Sequence, residues 1–110
     1  MEDRYEYREQ LKNRTKSVSL RVIRLFQSLP KTTEAQIIGK QVIRSGTSCA
    51  ANYRAACRAR SNAEFYSKMS IVIEETDETL FWLVILWESE IIKKELLNNF
   101  LVHDKNYIAI

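Results

Sequence analysis

Apolar residues recur along this chain at spacings of three, four and seven, which is the pattern of helices with one buried face. In the first such stretch Leu11, Val18, Val22, Leu25, Phe26 and Leu29 share a face. Pro30 ends it, because the residue before a proline is kept out of the helical region. The first dozen residues are mostly charged and read as a frayed helical lead-in. Thr32 or Thr33 then caps a second helix, with Glu34 in the first turn where the helix dipole favours an anion. Its buried stripe is Ile38, Val42, Cys49, Tyr53 and Ala56. Gly46, Ala50, Ala51, Ala55 and Ala56 make this helix thin, so a neighbour can approach closely. Gly46 costs about 1 kcal/mol of helix propensity relative to Ala, and close packing there is a reasonable compensation.

Ser61-Asn62-Ala63-Glu64 has the form of a capping box and places a tight helix–helix turn near Arg60–Ser61. A third helix follows. Its core stripe is expected to hold Phe65, Met69, Val72, Ile73, Thr76, Leu80, Leu83, Val84, Trp87 and Ile91. The run Leu80 to Trp87 is apolar all round, which marks a helix buried on more than one side. Ile71, Trp82, Ile85 and Leu86 fall off the stripe and are the candidate oligomer interface. A fourth segment carries Leu96, Leu97, Phe100 and Leu101. The expected helices span about 5–29, 33–60, 62–92 and 95–108 of a single 1–110 domain. The expected fold is all-α: an antiparallel up-down-up-down four-helix bundle.

Composition agrees. Two Gly and one Pro in 110 residues are too few for the turns of an all-β fold or the loops of a parallel α/β fold. The longest unbroken apolar run is eight residues, far below the roughly 20 of a membrane span. The N-terminus is charged and shows no apolar signal segment, so a cytoplasmic location is expected. Cys49 and Cys57 lie about 12 Å apart along one helix, too far for an intrachain disulfide, and read as buried thiols.

Charge divides the chain. Residues 1–60 hold 13 Lys/Arg against 5 Asp/Glu, and residues 61–110 hold 4 against 9. The basic half suits an anionic partner, or the acidic half of the same fold or of a neighbouring subunit. The candidate nucleic-acid-binding residues are Arg14, Lys16, Arg21 and Arg24 on the first helix, then Arg54, Arg58, Arg60 and Lys68 around the hairpin turn. Tyr53 and Tyr66 stand near the latter group. Arginines beside tyrosines hold phosphates and stack on unpaired bases, while the plainer reading is a solvated helix surface.

A turn near residues 60–61 also brings Arg44 level with Asp77, and Ser48 level with Ile73–Glu74. Gln41, Arg44, Ser48 and Asn52 on one helix, with Glu74 and Asp77 on the next, are therefore expected to form a polar ladder in which Arg44 bridges to Asp77 or Glu74. As a metal site the carboxylates lack the Glu-x-x-His pairs of di-iron bundles. There is no Gly-x-Ser-x-Gly elbow, no Gly-rich phosphate loop and no Cys-x-x-Cys pair. No catalytic residue, metal or cofactor is expected, and the chain reads as a non-enzyme.

The segments Leu29-Pro30, Gln41 to Ser45, Ser48 to Ala55, Arg58 to Ser61, Glu64-Phe65 and Glu74 to Leu83 together resemble the bacterial four helix bundle proteins, also described as 23S ribosomal RNA intervening-sequence proteins. The likeness spans about residues 25–92. It implies an antiparallel four-helix bundle assembling into a ring-like homopentamer. The accessory protein of diversity-generating retroelements is similar in fold, and binds reverse transcriptase and nucleic acid through basic surfaces. The resulting expectation is a cytoplasmic, non-catalytic homo-oligomer that binds RNA or a ribonucleoprotein through the basic surfaces of its first two helices. A protein-interaction scaffold, or a reverse-transcriptase accessory protein without nucleic-acid contact, is the competing expectation.

Overall fold

A computed structural model describes residues 2–103 of the chain, with side chains described from 4 to 100. Four helices occupy these residues, with no strand among them: α1 (Glu2–Ser28), α2 (Thr33–Cys57), α3 (Asn62–Glu88) and α4 (Lys94–His103). They pack as a bundle with extents of 47 × 22 × 19 Å. α2 lies between α1 and α3. α4, at ten residues, is far shorter than its neighbours.

Each long helix buries a stripe whose spacing alternates between three and four. α1 with the residue after it buries Leu11, Thr15, Val18, Val22, Leu25 and Leu29. α2 buries Ala35, Gly39, Val42, Gly46, Cys49, Tyr53 and Ala56, together with Ser45. α3 buries Val72, Thr76, Thr79, Leu83 and Leu86. This is the 3.5-residue seam of coiled-coil-like packing. The α1–α2 contact is close because α2 presents glycine to it. A Cβ on Gly39 would stand 2.6 Å from Leu29 Cδ1 and Phe26 Cδ1, and one on Gly46 would stand 2.9 Å from Val22 Cγ2. The Gly46 carbonyl accepts a hydrogen bond from Ser19 Oγ at 3.1 Å, which ties the two helices at that height.

The termini account for most differences from the sequence-based boundaries. α1 is continuous from Glu2 rather than frayed. Thr32 caps α2, its Oγ1 accepting from the Ala35 N–H at 3.4 Å. Ser61 caps α3 and accepts from the Glu64 N–H at 3.1 Å. The expected box is offset, however: Glu64 Oε1 accepts at 2.6 Å from the Arg60 N–H and so bridges the turn itself. α3 stops at Glu88 instead of continuing to about Ile92. The Ile91 N–H donates to Leu86 O, the Glu90 N–H donates to Trp87 O, and Glu90 adopts φ 64°. That is the double carbonyl closure of a left-handed C-terminal cap, with Glu in the position usually held by Gly. The expected end of α4 at 108 lies outside the described residues.

The expected phase of α3 is corrected in two places. Leu86 is wholly enclosed within the monomer, so it is not an oligomer-interface residue, while Ile73 stands 51% exposed. Ile71, Trp82 and Ile85 are half-buried. The run 80–87 is apolar on every side, so its own pattern carries no phase. The α2 seam sets it.

Candidate nucleic-acid interface

The α2–α3 seam disposes of much of the chain's polar chemistry internally. Thr79 Oγ1 lies 2.8 Å from Ser45 Oγ and 2.8 Å from Glu75 O, and its one proton serves these two acceptors. Ser45 donates to Gln41 O at 2.9 Å. Thr76 donates to Val72 O at 2.7 Å, which leaves its oxygen to accept from Cys49 Sγ at 3.2 Å. These buried groups are thus matched, as burial demands.

At the outer edge of the seam Arg44 is bound to Glu78 and, at 3.2 Å, to Glu75 Oε2, while its Nε donates to Gln41 Oε1 at 3.2 Å. Trp82 Nε1 donates at 3.1 Å to Glu78 Oε2, the same oxygen that Arg44 binds. The hydrogen bond from Arg44, then that from Trp82, holds the Glu78 carboxyl below its usual range, and Glu78 in turn raises the Arg44 guanidinium. The expected ladder is therefore corrected in its members. Glu74 and Asp77 are exposed, and the partners of Arg44 are one residue further on in each case. Asn52 donates to Ser48 O and Oγ at 2.9 and 3.0 Å, so this pair bonds along α2 rather than across to α3.

The basic candidates separate into groups. Arg21 is half-buried on α1, its guanidinium 4.6 Å from the Phe100 ring, and burial lowers its pKa. Arg24 stands beside it at the α1–α4 contact. Arg14 and Lys16 lie further back along α1, half-buried and exposed respectively. Arg58, Arg60 and Lys68 come together around the α2–α3 turn, in an open depression that also holds Glu64. Arg54 is exposed in the last turn of α2. Tyr53 does not belong to this surface. It is only 4% exposed, and burial followed by its hydrogen bond with Cys57 raises its pKa.

Residues that the pattern of the first helix did not single out complete this end. The start of α1 lies against the α2–α3 turn. An open cleft of about 980 Å³ between them is lined by Arg4, Tyr7, Arg8, Arg60, Asn62 and Tyr66, among others. The sequence signal was available in Arg4-Tyr5-Glu6-Tyr7-Arg8, a basic and aromatic alternation inside the segment read as a frayed lead-in. Among the described residues, no group of three or more His, Cys, Asp and Glu is placed to hold a metal ion, and no helix is long and apolar enough to cross a membrane.

Comparison with known proteins supplies the family. No curated protein matches the chain. Among solved structures, the chain is similar to the crystal structure of a protein of unknown function from the S23 ribosomal protein family of Bacteroides thetaiotaomicron VPI-5482. The two are 31% identical, with a TM-score of 0.81 over 89% of this chain and 91% of the other. The model of the 23S rRNA-intervening sequence proteins matches residues 6–107. With four helices in a bundle and a match over nearly all of its length, the chain belongs to the 23S rRNA-intervening sequence protein family.

Proposed function

We propose that this protein is a non-catalytic RNA-binding bundle, which engages RNA or a ribonucleoprotein through the basic surface at the α2–α3 turn. The observation that carries the reading is the gathering of Arg58, Arg60 and Lys68 there, next to Arg4 and Arg8 from the start of α1. Arg58 and Arg60 from the turn and Lys68 from α3 converge on one depression, as suits a phosphate-binding surface. Membership of a family named for intervening sequences of ribosomal RNA supports an RNA partner. Arg21 contributes less in this reading than the sequence suggested, because its guanidinium is already engaged with Phe100.

The bundle runs up, down, up and down in this proposal, and several copies form a ring-like homo-oligomer, a pentamer as the family resemblance implies, in the cytoplasm. Exposed Leu20, Ile23, Ile73 and Phe81 on α1 and α3 support the assembly, since they leave apolar surface on the two helices that flank α2. Light scattering tests it: a monomer at micromolar concentration contradicts the oligomer. Salt titration tests the RNA reading. Binding of RNA at about 50 mM salt is expected to fall steeply as salt rises, with a slope set by the number of phosphates neutralised. Failure to bind structured or single-stranded RNA at that salt leaves the scaffold reading instead, in which the basic end docks on exposed acidic residues such as Glu74 and Asp77 of another copy.

A further inference from the structure

We infer that the cleft between the start of α1 and the α2–α3 turn binds unpaired nucleotides of single-stranded RNA, with bases stacked on Tyr7 and Tyr66 and phosphates held by Arg4, Arg8 and Arg60. This rests on the RNA-binding reading above and specifies which form of RNA is bound. The first observation is composition. Among the described residues, those lining the cleft include three arginines and three aromatic side chains, and no carboxylate. Among the described residues, Arg4, Arg8 and Arg60 take part in no side-chain ion pair. The nearest acid of the turn, Glu64, spends one oxygen on the Arg60 N–H.

The second observation is the state of the rings. Tyr66 is 68% exposed and Tyr7 56% exposed, whereas Phe65, which also lines the cleft, is half-buried. Phe65 meets Tyr66 edge-on, with centroids 5.7 Å apart and planes at 73°, so the exposed ring is braced from within the fold. Large exposed rings set among arginines are what a base needs for a stacking platform, and every base has a face to offer them. A duplex keeps its bases stacked on one another and offers such a cleft phosphate, 2′-hydroxyls and base edges but no base face. The volume of about 980 Å³, at the upper end of the ~300–1,000 Å³ usual for small-ligand pockets, admits more than one nucleotide.

The test uses the full chain, a fluorescent 12-nucleotide single-stranded RNA, a 12-base-pair RNA duplex and adenosine monophosphate, each titrated at several salt concentrations. The single strand is expected to bind about tenfold tighter than the duplex. Tyr66→Leu and Tyr7→Leu are each expected to weaken single-strand binding by about tenfold, a loss in the range of one stacked base, with the salt slope and duplex binding unchanged. Tyr66→Phe should restore the affinity, since it keeps the ring. Arg60→Gln should lower the salt slope by about one for both RNAs. If the wild-type protein binds RNA but Tyr66→Leu and Tyr7→Leu leave the single strand unaffected, or weaken strand and duplex alike, the cleft assignment is overturned and the basic-surface reading survives. Binding of adenosine monophosphate as tightly as the strand overturns the assignment to a strand. If neither RNA binds at about 50 mM salt, both readings fall.

Discussion

Two levels of the same α2–α3 hairpin treat arginine in opposite ways. At mid-height Arg44 has two carboxylates, Glu75 and Glu78, and a glutamine oxygen around it, and the hydroxyls behind it pair across the seam. At the turn, Arg58 and Arg60 meet Lys68 and a single carboxylate, Glu64, which is already engaged with backbone. Charge at mid-height is consumed in joining the helices. At the turn Arg58 donates to the Arg54 carbonyl at 3.3 Å, but among the described residues neither Arg58 nor Arg60 is in an ion pair, so their charge is not spent on joining the helices. The contrast locates the functional question at the end of the bundle, because a cation already answered by the fold loses those contacts if it turns to a phosphate.

The contrast is broken if mutations at mid-height alter RNA binding or mutations at the turn alter folding. The largest expected effect is on the seam core. Leu83→Ala, at a fully buried position, should cost about 2–5 kcal/mol in chemical denaturation. Next, Arg58→Gln with Arg60→Gln should leave stability within about 0.5 kcal/mol while lowering the salt slope of RNA binding by about two. A large drop in melting temperature from that pair would mean the turn arginines are structural. Thr79→Val removes one hydroxyl from the buried seam, and urea titration should show a loss of about 1 kcal/mol.

Smaller effects sharpen the picture of Arg44. A double-mutant cycle of Arg44→Ala with Glu78→Ala should give a coupling of about 0.2–1 kcal/mol, the range for partly exposed pairs. The cycle with Asp77→Ala should give none. The smallest effect is the dependence on pH. The Glu78 carboxyl is held low in the folded state by Arg44 and Trp82, so its contribution is present above its unfolded pKa of about 4.3. That contribution is lost as pH falls through the lower folded value. Glu78→Gln should therefore flatten the acid limb of the stability curve slightly, measured by thermal melts between pH 3 and 6.

The sequence by itself determined the four-helix architecture, because a 3.5-residue apolar spacing interrupted by Pro30 and by the Ser61 cap leaves few other ways to bury so much surface. It also placed the height of the hairpin register: Arg44 was expected level with Asp77, and its partners Glu75 and Glu78 straddle that level. What it left open was rotation. A shift of one residue turns a helix surface by about 100°, which separates Glu74 and Asp77, exposed, from Glu75 and Glu78, engaged. The same ambiguity governs residues 80–87, where an apolar residue at every position carries no phase, and only packing against α2 places Leu86 inside. The end cleft was decided by tertiary structure as well. Arg4, Tyr7 and Arg8 lie more than fifty residues from Arg60 and Tyr66 in sequence. They meet because the start of α1 lies beside the α2–α3 turn.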